Sequence, residues 1–178
     1  MDFRHRLFFA VKPPAAALPY IAEEQRHFWP GRAILHDHLH LTTALVADQA
    51  AFPKAIRNVM VAIGDAIVAR PFQIVLDQVA TNGDAVVMCP SERLRAFWRF
   101  HRQLADLMRQ AGLAPRPGWR FNPHMTLSYG FGRPFQIEIL PLSWTVTEFV
   151  LIHSYLGRTR HEIVARWPLP DPADPPLH

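Results

Sequence analysis

The sequence predicts an α+β protein in which antiparallel strands outnumber helices. Residues 51–67 carry apolar side chains at steps of four, three and four, the spacing of an amphipathic helix. Residues 71–80 and 85–89 are β-rich runs separated by Asn82-Gly83, a strong hairpin signal. Two long helices among some seven strands, with at least one hairpin, favour this class over a doubly wound parallel sheet.

The remaining elements follow from breakers and periodicity. Strands are predicted at 5–11, 38–46, within 121–130, and near 147–155 and 161–166; helices are predicted at 15–29, ended by Pro30-Gly31, and from an N-cap at Ser91 to Gln110. His101 lies on the apolar stripe of that last helix and is interpreted as a helix-face residue. We expect one domain over residues 1–170 and a proline-rich tail at 171–178.

Composition and charge restrict the class of protein. The chain has 178 residues, and 19 basic residues against 15 acidic ones give a formal charge of +4, a mild surplus that favours polyanionic partners. The only cysteine, Cys89, excludes an intramolecular disulfide and favours the cytoplasm. No run of about eighteen apolar residues is present, so a membrane span is not expected.

The segment LHDHLHLTT, residues 35–43, alternates histidine with other residues. In a β-strand, residues two apart point to one face, so His36, His38, His40 and Thr42 would share a side and the leucines would take the other. This pattern describes a strand with an apolar core face and an imidazole-rich open face. It does not indicate which imidazole carries out chemistry.

A second segment repeats part of the first. His124-Met125-Thr126-Leu127 matches His40-Leu41-Thr42-Thr43 as histidine, apolar residue and threonine, 84 positions later. That separation is close to half the chain, as expected if each half contributes one equivalent strand to a shared site. Each strand would offer an imidazole and a hydroxyl on the same face.

Two facing strands of this kind suit a phosphate group. Imidazoles titrate near pH 7 and can serve as an acid and a base, while hydroxyls donate to phosphate oxygens. Such a site needs no metal or other cofactor. The alternative from spacing alone is that these are edge-strand residues with structural hydrogen bonds.

Four stretches together resemble the 2H phosphoesterases, and within them the bacterial RNA 2′,3′-cyclic phosphodiesterases historically called 2′-5′ RNA ligases. The stretches are RLFFAVKPP, LHLTTALV, NPHMTL and TVTEFVLIHSYLGRTRHEIVARWPL, in that order. The resemblance implies two α+β lobes related by a pseudo-twofold axis, with antiparallel sheets, helices packed outside and a central groove. It also implies metal-independent hydrolysis of a 2′,3′-cyclic phosphate, on RNA or a nucleotide, to a 2′-phosphomonoester, with reversible 2′-5′ ligation as a second activity and a monomeric enzyme.

The resemblance assigns roles to particular residues. His40 is the implied acid and His124 the implied base, although the near symmetry of the motifs leaves their order open; Thr42 and Thr126 would hold phosphate oxygens. Many close relatives have an arginine where Tyr129 stands here, and Tyr129 has the wrong parity to share a regular strand face with His124. Its contact with substrate would therefore need a bulge or a strand end.

Other residues and other functions remain open at this stage. Arg158 and Arg160 are two apart and would contact RNA phosphates from one strand face, or they are solvated surface charges. A histidine-triad nucleotide hydrolase would use HDHLHLT but leaves the second motif unused. A metal hydrolase would use His36, His38 and either Asp37 or His124. A non-catalytic nucleotide- or RNA-binding module is the last alternative.

Overall fold

The computed structural model describes residues 4–28, 32–81, 84–130 and 133–170. Within them lie nine strands and three α-helices. The strands are β1 His5–Val11, β2 Arg32–Ala33, β3 Leu41–Leu45, β4 Phe72–Thr81, β5 Ala85–Cys89, β6 Met125–Tyr129, β7 Phe135–Val146, β8 Glu148–Tyr155 and β9 Arg160–Pro168. The helices are α1 Leu18–His27, α2 Lys54–Asp65 and α3 Arg95–Gln110.

The strands pair antiparallel in the order β7-β4-β5-β6-β3-β1-β8-β9, with β2 beside β6. A division between β6 and β3 leaves two groups of four strands, which we call the His124 lobe (β6, β5, β4, β7) and the His40 lobe (β3, β1, β8, β9). Each lobe contains one strand–helix–strand unit, β5-α3-β6 or β1-α1-β3. The predicted α+β class and the two-lobed, pseudo-twofold arrangement are therefore confirmed.

The two lobes are interleaved through their helices. Helix α1 belongs to the His40 lobe in sequence but packs on β6, and α3 belongs to the His124 lobe but packs on β3. The side-chain amide of Gln25 on α1 donates to the carbonyl of Leu127, 3.0 Å away. In the matching position, Nδ1 of His101 on α3 donates to the carbonyl of Thr43 at 2.7 Å. Thr43 and Leu127 each lie at a bulge in their strand.

The core lies mostly on one face of the sheet. Alternation along β1 sends Leu7, Phe9 and Val11 into the large apolar core beneath the helices. Phe8 and Ala10 point to the opposite face, where they form a small second cluster with apolar residues of β3 and β8. This second cluster leaves the middle of that face uncovered, and the cleft described below lies there.

Several predicted elements are confirmed, the strands with nearly the predicted bounds and the helices with shorter ones. The strand at 5–11 and the hairpin of β4 and β5 are present, and the helix predicted at 51–67 is α2, with Met60 and Ile63 buried. The helix predicted at 15–29 is a 3₁₀ turn followed by α1. The predicted Pro30-Gly31 stop, the Asn82-Gly83 turn and the tail at 171–178 lie outside the described residues.

Two predictions near β4 were wrong or incomplete. Ser91 does not cap α3, which begins at Arg95; its amide and hydroxyl donate instead to the Asp77 carboxylate at 2.6 and 2.5 Å. Strand β7 was not predicted, although its sequence alternates apolar and polar residues on both sides of Pro141, which interrupts the pattern. Pro141 is tolerated because the β4–β7 register shifts there.

No helix in the described part of the chain has the length and apolar character required to cross a membrane.

One glycine tests how tightly α2 packs on the sheet. A Cβ added at Gly64 would lie 2.2 Å from the Trp167 indole of β9. At an open helical site, glycine-to-alanine replacement stabilises by about 0.5–1 kcal/mol. We expect Gly64→Ala to lower the free energy of unfolding by about 1–3 kcal/mol, because the added methyl group overpacks this contact.

Denaturant unfolding of four proteins measures this effect: wild type, Gly64→Ala, Trp167→Leu and the double variant. In the Trp167→Leu background the alanine should be neutral or stabilising, since the indole is gone. An equal loss in both backgrounds would contradict the packing explanation.

Candidate active site

The two His-x-Thr motifs meet where the lobes join. β3 and β6 begin one residue after His40 and His124, and the recorded pair between these strands is Leu41 with Met125. In an antiparallel register this pair sets His40 opposite Thr126 and Thr42 opposite His124. Each imidazole therefore lies beside the threonine of the other motif.

Both motif histidines are held by the same local hydrogen bond. Nδ1 of His40 lies 2.6 Å from the carbonyl of His38, and Nδ1 of His124 lies 2.7 Å from the carbonyl of Asn122. A carbonyl only accepts, so each Nδ1 carries the proton and donates it. Nε2 of each ring is then the nitrogen left to exchange a proton with a bound molecule.

A cleft of about 860 Å³ contains both motifs, and His40, Thr42, His124 and Thr126 all line it. Four arginines and two further histidines line it as well: Arg6, Arg32, Arg116, Arg160, His38 and His161. Among the described residues, none of those lining the cleft is acidic. Arg6 is paired outside the lining with Asp48 at 2.7 Å, but the excess of cationic and titratable groups still favours an anionic ligand.

The environment of His40 disfavours its charged form while the cleft is empty. Burial lowers its pKa to about 3, and the neighbouring His161, Lys12 and His124 act in the same direction, against the hydrogen bond from Nδ1 to the His38 carbonyl. Phe8 of the second apolar cluster lies under the ring, with centroids 4.9 Å apart. His40 is therefore a neutral imidazole in the empty cleft.

A third imidazole, His161 at the start of β9, lies beside His40. Its ring stacks on His38 at 4.2 Å and meets the ring of His40 edge-on at 5.5 Å. Burial also lowers the pKa of His161, to about 4. Sequence reasoning did not find this residue, because its only local signal is its place in the closing Gly-Arg-Thr-Arg-His segment.

Both motif strands contain a bulge directly after the motif threonine. In β3, Thr43 is extra between residues paired with Phe9 and Ala10; in β6, Leu127 is extra between residues paired with Val86 and Val87. The bulge in β6 changes the side-chain parity beyond it. Tyr129 consequently lines the cleft, and its side chain is about half exposed. The sequence predicts that Tyr129 needs a bulge or a strand end to reach the groove, and this bulge meets that condition.

The two arginines of the last turn are not equivalent. Arg160 lines the cleft and lies over the ring of Tyr155 at 4.9 Å, whereas Arg158 is not among the lining residues. Thr159 between them has a φ of 48°, which is rare for a β-branched residue. Its hydroxyl accepts from Arg32 of the other lobe at 3.1 Å, so the turn contacts both sides of the cleft.

The predicted histidine strand at 38–46 was wrong in its first part. His36–His38 form a 3₁₀ turn closed by the His38 amide on the Leu35 carbonyl at 2.9 Å, and β3 begins only at Leu41. Asp37 interrupts the apolar face, and Leu35 is exposed, so this end of the segment gains no burial from an extended conformation. The three histidines therefore do not share one strand face, which argues against a histidine-triad hydrolase.

The described residues contain no group of three or more His, Cys, Asp or Glu arranged to hold a metal ion. His38 lines the cleft while His36 does not, so the ligand set of a metal hydrolase is not assembled from this turn.

Solved structures share this fold. E. coli LigT complexed with 3′-AMP matches 93% of this chain and 98% of its own, with 25% identity and a TM-score of 0.74. Thermus thermophilus TT0787 matches 94% and 99% at 22% identity with a TM-score of 0.76, and the PDE domain of MHV ns2 matches 82% and 98% at 18% with a TM-score of 0.52. No curated protein is significantly similar in sequence.

The family match covers both motifs. Residues 13–158 match the family model described as the 2′-5′ RNA ligase superfamily, and this range contains His40, Thr42, His124 and Thr126. The range is more than half of the chain, and it agrees with the phosphoesterase fold seen in the solved structures. The chain belongs to the 2′-5′ RNA ligase superfamily of 2H phosphoesterases.

Proposed function

We propose that this protein hydrolyses a 2′,3′-cyclic phosphate, at an RNA end or on a nucleotide, to a 2′-phosphomonoester. The observation that carries the proposal is that His40 and His124 line one cleft and that each donates from Nδ1 to a backbone carbonyl. Nε2 of each ring is therefore the nitrogen left for proton transfer. A cyclic phosphate needs proton transfer at two oxygens, the attacking one and the leaving one. The cationic lining suits its negative charge.

The reaction divides between the two motifs. Water attacks phosphorus in line with O3′, and Nε2 of His124 takes the proton of the water. The P–O3′ bond breaks, and Nε2 of His40 gives its proton to O3′. Thr42 and Thr126 donate to the non-bridging oxygens, where charge increases in the transition state. Both proton transfers are made by imidazoles, so no metal is required for either one.

His40 must be protonated in the substrate complex, although it is neutral in the empty cleft. A unit negative charge about 4 Å from its ring would contribute roughly 4 kcal/mol at an effective dielectric constant of 20, or about three pKa units. That contribution offsets most of the lowering caused by burial. Binding of the phosphate therefore raises the pKa of His40 back toward its ordinary value, so that a fraction of the bound enzyme carries the proton needed by the acid.

The same site supports ligation if an RNA 5′-hydroxyl replaces water. The hydroxyl would attack the cyclic phosphate at the same position, lose its proton to His124 and form a 2′-5′ phosphodiester. E. coli LigT structures contain 3′-AMP, ATP or NADP⁺, and this chain shares their fold, which supports nucleotide-containing substrates here. We expect RNA ends to bind better than mononucleotides, because the arginines of the cleft can meet further phosphates.

Single-residue variants test the proposal. His40→Ala and His124→Ala should each lower kcat for 2′,3′-cyclic AMP by roughly 10²- to 10⁴-fold, because each removes one proton transfer. Thr42→Ala and Thr126→Ala should lower it by roughly 10- to 10²-fold, since each removes one hydrogen bond to the phosphate. Initial rates measured in excess EDTA, with chromatography of the products, give both the loss and the position of the phosphate.

His36→Ala is the matched control, because His36 is exposed and outside the cleft lining. Wild-type protein that binds the cyclic nucleotide without turnover, or whose rate collapses in EDTA, would contradict the proposal.

The acid role of His40 predicts a pH dependence of anion binding. Sulfate keeps a constant charge between pH 5 and 8 and serves as a simple phosphate mimic. The bound anion raises the pKa of His40 above its value in the empty cleft, so binding is strongest at low pH and weakens as pH rises through the pKa of the complex.

Calorimetric titration at several pH values measures the slope of affinity against pH. His40→Gln should flatten this slope more than His124→Gln does. The reverse order would exchange the acid and base roles of the two histidines.

A further inference from the structure

The cleft is nearly symmetric, so the two motifs alone do not determine whether the product is a 2′- or a 3′-phosphomonoester. His40 and His124 have the same backbone hydrogen bond, the same position before a strand and a threonine two residues later. For a substrate held in one pose, P–O3′ breaks if His40 is the acid, and P–O2′ breaks if His124 is the acid. A single product therefore requires a feature that makes the two sides of the cleft different.

His161 supplies such a difference. It starts β9, the outer strand of the His40 lobe, and its ring contacts both His38 and His40. The corresponding outer strand of the His124 lobe is β7, which contains no histidine. Among the described residues, no aromatic ring is seen packed against His124, so the third imidazole marks the His40 side alone.

The two nitrogens of His161 have different surroundings. Nδ1 is buried and has no hydrogen-bond partner in the described structure. The residue lines the cleft, and its Nε2, unlike its Nδ1, is not among the buried atoms that lack a hydrogen-bond partner. A buried N–H without an acceptor is costly, which favours the tautomer with a bare Nδ1 and the proton on Nε2.

Burial is the main reason that the His161 ring is neutral. Its pKa is lowered to about 4 by burial first, then by His38, Lys12 and Arg6, with Asp37 acting in the opposite direction. These groups come from β1, the segment after it and the 3₁₀ turn at His36–His38. His161 is thus an uncharged donor fixed beside the proposed acid.

We propose that His161 determines which ester bond breaks, by donating a hydrogen bond from Nε2 to the leaving oxygen on the His40 side. This inference rests on the proposed function. The donor stabilises negative charge as it develops on O3′, and His40 then delivers the proton. His161 keeps its own proton throughout. Without this donor the two sides become more alike, and breakage of P–O2′ with His124 as the acid yields the 3′-phosphomonoester.

The ratio of 2′-AMP to 3′-AMP formed from 2′,3′-cyclic AMP tests this inference. His161→Phe keeps a flat ring on His38 but removes the donor, and it should lower the ratio by about tenfold, the effect of one hydrogen bond to a developing charge. His161→Gln places an amide donor near the position of Nε2 and should restore most of the ratio. His161→Asn places its amide near Nδ1 and should behave like His161→Phe.

His36→Phe is the matched control, since it makes the same exchange at an exposed histidine outside the cleft. A ratio unchanged in His161→Phe, or altered equally in the Gln and Asn variants, overturns the inference while leaving the proposed function intact. If His161→Phe does not fold, the Gln and Asn pair decides. A wild-type protein without turnover overturns both.

Discussion

The pairing of Leu41 with Met125 is the interaction on which the site depends. It is the recorded contact between β3 and β6, and so it is the point where two four-stranded lobes become one sheet. Both side chains are fully buried in the main core. Side chains alternate along a strand, so burying these two residues turns the histidine and threonine on either side of each toward the opposite face. The apolar residue inside each His-x-Thr motif is therefore as important for the site as the polar ones.

The helices α1 and α3 connect the two lobes across this seam. Each motif strand contains a bulge directly after its threonine, and a bulge leaves a backbone carbonyl outside the regular ladder. Gln25 donates to one of these carbonyls and His101 to the other, each from a helix that belongs to the opposite lobe in sequence. His101 donates to the Thr43 carbonyl, and Gln25 adds a second donor to the Leu127 carbonyl, which also accepts from the Ile34 amide at 2.8 Å. These bonds link each bulged strand to the helix of the other lobe. His101 is thus a structural histidine, although its hydrogen bond lies close to the candidate active site.

Local sequence patterns predicted the helices and strands whose formation depends on burying one face. Burial of one face produces three such patterns: the period of 3.6 in α2, the alternation in β1 and the two His-x-Thr repeats. The structure contains all of these elements. The failures required knowledge of distant residues. Ser91 is a good N-cap by composition, but Asp77 on β4 takes both of its donors. The alternation HDHLHL favours a strand, yet its first part gains no burial and folds as a 3₁₀ turn. Strand β7 has an alternating pattern on each side of Pro141, and its pairing with β4 across a register shift joins the two parts into one strand.

The electrostatics of the cleft favour a bound anion. His40 and His161 lie in positions where burial opposes their protonation, and the lining contains arginines without a single acidic side chain among the described residues. Asp48 and Glu162 lie outside the lining and pair with Arg6 and Arg160, so the acidic groups near the cleft compensate only part of its positive charge. Burial therefore disfavours the charged forms of His40 and His161 in the empty cleft, and in the proposed mechanism a bound anion supplies the counter-charge that lets His40 act as an acid. In the proposed mechanism the substrate phosphate thus contributes to its own cleavage, because it raises the pKa of the histidine that donates the proton.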